Sequence, residues 1–237
     1  MVQDFSSAVD GMTPKIIFAS TAYGPLWAPV VASWISCVGH TARRFAVEQT
    51  GDLCASAVTD RMYTHSAQNA LVQAFLESDA THLFFTEMDM ILPNDAIIKL
   101  LEMDKDIASG VYFLRNGLGQ PCLYMKGMTT KDNPYTFIPV SVYPQDKIFK
   151  ADCPGLGCVL FKRSVFEKVK FPWFDLKEAG YGSDMYFYTK AKWAEIEVWC
   201  NPQVTPEQIE YKVWSKKDYA ERFKIDPKLG ATGFVIQ

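Results

Sequence analysis

The 237-residue chain has three histidines, His40, His65 and His82, and no two of them stand at a spacing that lets one metal be shared. Its six cysteines, at 37, 54, 122, 153, 158 and 200, include no C-x-x-C pair. Neither a zinc centre nor a disulfide framework is therefore signalled, and the thiols read as reduced, as in a cytoplasm. No basic excess exists: 24 Lys and Arg against 27 Asp and Glu leave a formal charge of -3. A chain without a basic face has nothing to follow a phosphate backbone, so nucleic acid is not an expected partner. No apolar run approaches the roughly 20 residues that span a bilayer, and Met1-Val2-Gln3-Asp4-Phe5 lacks the basic start of a secretion signal. Attachment to a membrane surface stays open. G-x-S-x-G, a P-loop and internal repeats are also missing, which removes the common hydrolase and NTPase readings.

What is present is apolar: 49% hydrophobic residues, 14% of the chain aromatic, enough for a large core in one α/β domain over 1–237. A polar arm to about residue 14 precedes it, and a C-terminal helix and tail follow from about residue 215. Residues 16–20 predict a buried strand, 21–25 the loop that leaves it, 27–38 a helix, and 44–48 a second strand ending in a turn at 50–52. The clearest helix is 66–77, with Ala67, Ala70, Leu71, Ala74 and Phe75 at helical spacing and Ser66 as its cap. It leads into a strand at 82–86, after which the chain turns into a helix capped by Asn94. Further strands are expected at 107–113, 137–142, 158–162 and 196–200, with a short helix capped by Ser164 and another over 184–194. Residues 116–152 are otherwise loosely patterned. The architecture expected is one mixed, mostly parallel sheet with helices on both faces.

In such sheets ligands bind beyond the carboxyl ends of the strands. Glu87 and Asp89 leave a strand end with one residue, Met88, between them, so both carboxylates can reach one hard cation that also holds a diphosphate. The plain alternative is that they charge the start of the next helix. Gly155-Leu156-Gly157 is not a dinucleotide fingerprint, because it enters a strand rather than opening a helix and lacks the third glycine. Gly157 suits either a close backbone approach beside a ligand or an ordinary turn. Trp173 offers an apolar platform for a sugar face or a core anchor; Phe174 reads as core. Tyr181-Gly182-Ser183 reads as a mobile loop or a plain helix start. Each histidine reads as a surface residue or a satisfied structural one.

The run from Leu83 to Pro93, Leu-Phe-Phe-Thr-Glu-Met-Asp-Met-Ile-Leu-Pro, resembles the strand and Asp-x-Asp metal motif of glycosyltransferases of the GT-A fold, particularly the compact family-2-like enzymes, with Glu87 for the first Asp. Four further segments, spread with it over about residues 15–210, are similar in order: the strand from Asp104 to Phe113, the G-x-G-C-x-L segment from Gly155 to Leu160, Pro172-Trp173-Phe174, and Gly182-Ser183-Asp184-Met185-Tyr186-Phe187. The resemblance implies a nucleoside-diphosphate sugar as donor, a glycan or other hydroxyl acceptor, and Mn2+ or Mg2+ held by Glu87 and Asp89. It makes Asp184 the candidate base or an acceptor-binding carboxylate, and a helix N-terminus should keep that group ionised. Thr21 and Tyr23 are candidate donor-nucleotide contacts. Gln68 stands where the family often has Arg, Ser183 where it has Glu, and Gln208 where it has a metal-binding His. Two rivals remain: a nucleotide- or glycan-binding protein of the same fold that has lost catalysis, and a sugar nucleotidyltransferase.

Overall fold

The computed structural model describes residues 14–48, 52–115, 119–128, 136–176, 182–209, 213–223 and 235–236. The arm expected before residue 14, residues 50 and 51 of the turn expected at 50–52, and Tyr181 lie outside the described residues; Asp52 of that turn is the first residue of β2. In chain order the elements are β1 (Lys15–Ala22), α1 (Ala28–Glu48), β2 (Asp52–Asp60), α2 (Thr64–Glu77), β3 (His82–Glu87), β4 (Met90–Ile91) and α3 (Ala96–Leu101). They continue with β5 (Ile107–Gly110), β6 (Leu123–Lys126), β7 (Phe137–Val142), β8 (Phe149–Ala151), β9 (Cys153–Pro154), β10 (Cys158–Lys162) and α4 (Arg163–Lys168). The last are α5 (Ser183–Trp193), β11 (Val198–Asn201), β12 (Glu207–Ile209), β13 (Val213–Trp214), α6 (Lys216–Phe223) and β14 (Val235–Ile236).

Seven strands form the main sheet in the order β2-β1-β3-β10-β5-β11-β8. β2, β1, β3, β5 and β11 share one direction, while β10 and β8 run against it. Strand alternation explains why helices cover both faces. Ile17, Ala19, Leu83 and Phe85 point into a core with Leu71, Val72 and Phe75 of α2, Phe166 of α4 and Phe187 of α5. Ile16, Phe18 and Phe84 point the other way, against Val30, Trp34, Cys37 and Phe45 of α1 and Ile97 and Leu100 of α3. All five of the strands expected to share a sheet do so, although β5 stops at Gly110. There the Val111 N–H turns away to donate to the Val204 carbonyl at 2.9 Å.

Two local expectations are corrected. Residues 44–48 are helical, not a strand: Val30, Trp34, Cys37, Thr41 and Phe45 are buried at three- to four-residue intervals, so the stripe of α1 runs unbroken as far as Phe45. The second strand lies instead at β2, on the sheet edge. In α2 the buried stripe is Ala67, Gln68, Leu71, Val72 and Phe75 rather than one including Ala70 and Ala74. Alanine tolerates either face, so it gave the phase of the helix poorly. The helix also starts earlier, after Tyr63, without a side-chain cap at Ser66.

Candidate functional site

Sheet direction gathers the site. The carboxyl end of β3 is Glu87, level with Thr21 at the end of β1. Because β10 runs antiparallel, its beginning lies at this same end, with Cys158 opposite Thr86, and the Thr86 hydroxyl donates to the Gly157 carbonyl at 2.8 Å. β11 ends here too, and the chain beyond it returns as β12, which pairs with β4 so that Gln208 faces Met90. The turn carrying the acidic pair is held by three hydrogen bonds, two with α1 and one with β12. Trp34 Nε1 donates to the Met90 carbonyl at 3.0 Å, the Leu92 N–H donates to Ser33 Oγ at 3.1 Å, and the Ile209 N–H donates to the Asp89 carbonyl at 2.8 Å. The backbone around Asp89 is thereby fixed before any ligand arrives.

Asp89 is 7% exposed. Its Oδ2 accepts from Arg115 Nη1 at 2.6 Å and from Gln208 Nε2 at 3.1 Å, while its Oδ1 and Gln208 Oε1 are buried without a partner. An unpartnered carboxylate oxygen and an unpartnered amide oxygen on two hydrogen-bonded side chains are donors of the kind a hard cation takes, and leaving them unsatisfied costs free energy. Glu87 is half-buried. Burial first, then the charges of Asp89 and Asp184, push its carboxyl up to about 8, against the opposing pull of Arg115. The acidic groups are thus felt by one another across the strand end. Among the described residues, no three His, Cys, Asp or Glu side chains cluster closely enough to hold a metal alone. A cation would have to draw on Gln208 and on the ligand.

Asp184 opens α5 as expected, and its Oδ1 accepts the Met185 N–H at 2.8 Å. The helix start is not the dominant influence on it: burial raises its pKa, and this outweighs the lowering by the backbone N–H groups of Met185 and Asp184. Desolvation penalises the charged form more than one turn of helix favours it.

Tyr23 is 73% exposed, and its N–H donates to Met88 Sδ at 3.2 Å, which brings the end of β1 to the acidic turn. Gln68 is 1% exposed on the inward stripe of α2, with Oε1 lacking a partner, so nothing in solution touches it as the chain stands. The sugar-platform reading of Trp173 is corrected. The ring is 5% exposed in the core, its Nε1 donating to the Val169 carbonyl at 2.8 Å, and a buried ring offers no face to a ligand. Gly157 does serve a close approach, but to protein: a Cβ there would lie 3.0 Å from Met90 Sδ and from the Tyr112 ring. His82 is buried, with Nδ1 at 2.8 Å from Thr81 Oγ1, and burial lowers its pKa to about 4, in keeping with a structural role.

Arg115 was not anticipated. The rule that singled out Glu87, a charged residue just past a strand end on the ligand side of the sheet, applies equally to a cation soon after β5.

No protein-family model matches the chain, and no curated protein matches it. Among solved structures, the crystal structure of A197 from STIV is similar, with a TM-score of 0.60 and 17% identity, covering 86% of this chain and 91% of that one. At that identity the likeness speaks for the fold alone: mixed α/β, a mostly parallel central sheet, helices on either side. No helix among the described residues is long and apolar enough to cross a membrane.

Proposed function

We propose that the chain is a GT-A-fold glycosyltransferase that moves a sugar from a nucleoside-diphosphate donor to an acceptor hydroxyl. The observation that carries this reading is the meeting of Asp89 and Gln208. The resemblance sets Gln208 where the family has a metal-binding His and Asp89 in the metal motif, and these two side chains, 119 positions apart, are hydrogen-bonded. Asp89 Oδ1 and Gln208 Oε1, with Glu87 beside them, suit a divalent cation bound through oxygen. When bound, such an ion neutralises charge growing on a departing diphosphate. Tyr23 and Thr21 offer contacts for the nucleotide at the end of β1. Asp184 accepts the proton of the acceptor hydroxyl as its oxygen bonds to the anomeric carbon and the bond to the diphosphate breaks; a carboxylate with a raised pKa is the better base for this. Cys37, Cys122, Cys153, Cys158 and Cys200 are free and buried, which suits a cytoplasmic enzyme.

A second reading, a binding protein without turnover, is favoured by the occupation of Asp89 Oδ2 by Arg115 and Gln208. A screen of nucleotide sugars with Mn2+ or Mg2+ separates the readings. Release of nucleoside diphosphate supports the transferase, nucleotide binding without release supports the binding protein, and pyrophosphate-linked turnover would make the chain a sugar nucleotidyltransferase.

A further inference from the structure

The ion pair between Arg115 and Asp89 joins unequal partners. The Asp89 side chain is 10% exposed, at the floor of the site, whereas that of Arg115 is 49% exposed and reaches in from the solvent side. Asp89 is fixed by its strand turn and by β12; Arg115 hangs on a long, rotatable stem. An ion pair that is half in water contributes little net stability, so it exchanges readily for a better one. The charge of the same guanidinium is also felt at Glu87, where it opposes the repulsion from Asp89 and Asp184. A cation is therefore already present where a divalent ion would act, and it occupies one of the two oxygens of Asp89 while the other stays bare.

Guanidinium and metal compete electrostatically for this carboxylate, since each lowers its affinity for a second positive charge. A diphosphate changes the balance. It adds negative charge and two or more oxygens in the spacing that a guanidinium binds bidentately, a stronger contact than the single Nη1–Oδ2 bond seen here. We propose that Arg115 alternates between Asp89 and the diphosphate of the donor, holding the metal off until the nucleotide arrives and then clamping the nucleotide. This rests on the transferase reading only in taking a nucleoside diphosphate as the second partner. In equilibrium terms, Arg115 creates positive coupling between metal and nucleotide, and by reciprocity each tightens the other by the same factor.

The test uses the full chain and the variants Arg115→Ala and Arg115→Gln; melting temperatures confirm that both are folded, as an exposed position allows. Binding of Mn2+ alone is read from the resonance signal of the free ion. Binding of uridine and guanosine diphosphate is then titrated calorimetrically with saturating Mg2+. Both variants are expected to bind Mn2+ alone more tightly, by about tenfold, and to bind the nucleoside diphosphate more weakly, also by about tenfold. A residue that merely shapes the site would lower both affinities. Unchanged or weaker Mn2+ binding in the variants overturns the proposal, as does unchanged nucleotide affinity. Failure of the transferase reading looks different: wild-type protein releasing no nucleoside diphosphate from any donor, with the opposed shifts in the variants intact.

Discussion

Gln208 Nε2 donates to Asp89 Oδ2 over 3.1 Å, joining β12 to the turn after β3. The contact is seated on backbone pairing, since Gln208 lies opposite Met90 and the Ile209 N–H donates to the Asp89 carbonyl. A slip of one residue would turn position 208 to the other face of the small sheet. The approach of these two side chains is therefore set by strand register and not by their own weak attraction.

Replacing Asp89 by Asn tests the charge alone, because the amide is nearly isosteric. Donor hydrolysis that depends on metal is expected to fall by roughly a hundredfold or more. The melting temperature should move little, because the Arg115 pair reaches into solvent. Asp184→Asn should instead keep metal and nucleotide binding and lose transfer to the acceptor. Steady-state rates beside binding titrations check both, and full transfer by either variant would remove the role assigned to that residue.

Glu87 makes stability depend on pH in a direction opposite to a salt-bridged carboxylate. Its folded pKa is about 8 against an ordinary 4.5. Between those values the folded chain holds a proton that the unfolded chain has released, so stability falls as pH rises through the window. Below about pH 4.5 both states are protonated, and the penalty vanishes. Glu87→Gln cannot ionise. Without metal, its melting temperature should match that of the wild type near pH 5 and exceed it increasingly up to pH 8. Metal binding at pH 7 should also release a proton from the wild type and not from this variant, seen as a dependence of binding enthalpy on the buffer. Parallel melting curves across the window would show that Glu87 is not protonated in the fold.

The sheet was legible because its strands are short apolar runs buried on both faces, and such runs leave little choice of partner. The position of Glu87, Asp89 and Asp184 was legible because they follow or open elements of the fold. Failures had other causes. Residues 44–48 mix apolar and charged types in a way that suits either period, and only the preceding turns of α1 settle it. Trp173 was ambiguous because a tryptophan serves core and platform alike; what decides it is the Nε1 bond to the Val169 carbonyl. Arg115 went unseen because its meaning depends on where β5 ends, and Gly110 ends that strand by packing against Val204, a contact between distant parts of the chain.

Asn69 illustrates a residue whose importance is entirely tertiary. Its Oδ1 accepts the N–H groups of Trp173 and Phe174 at 3.0 and 3.2 Å, and its Nδ2 donates to the Phe174 carbonyl at 2.7 Å. It thus fastens the aromatic turn to α2. Asn69→Leu keeps the branched outline but strands these backbone groups away from water, and should destabilise the fold by about 2–4 kcal/mol. Urea unfolding should show a lower midpoint with an unchanged slope. A shift within error would mean that water replaces the amide.

Position 208 gives the sharpest test of metal preference. An amide offers the ion a neutral oxygen, whereas an imidazole offers the nitrogen donor that Mn2+ takes more readily than Mg2+. With Gln208 the unpartnered oxygens are those of an amide and a carboxylate, so the site should bind either ion weakly without nucleotide and should discriminate little in favour of Mn2+. Gln208→His is expected to raise Mn2+ affinity on the order of tenfold and that for Mg2+ far less. Gln208→Ala, which removes the same hydrogen bond to Asp89 without supplying a ligand, should not reproduce the gain. Combining Gln208→His with Arg115→Ala should give a gain different from the sum of the two, since both residues act on Asp89 Oδ2. If the histidine leaves Mn2+ affinity where it was, the side chain at 208 does not face the ion. The pairing of β12 with β4 would then serve only to hold the acidic turn in place.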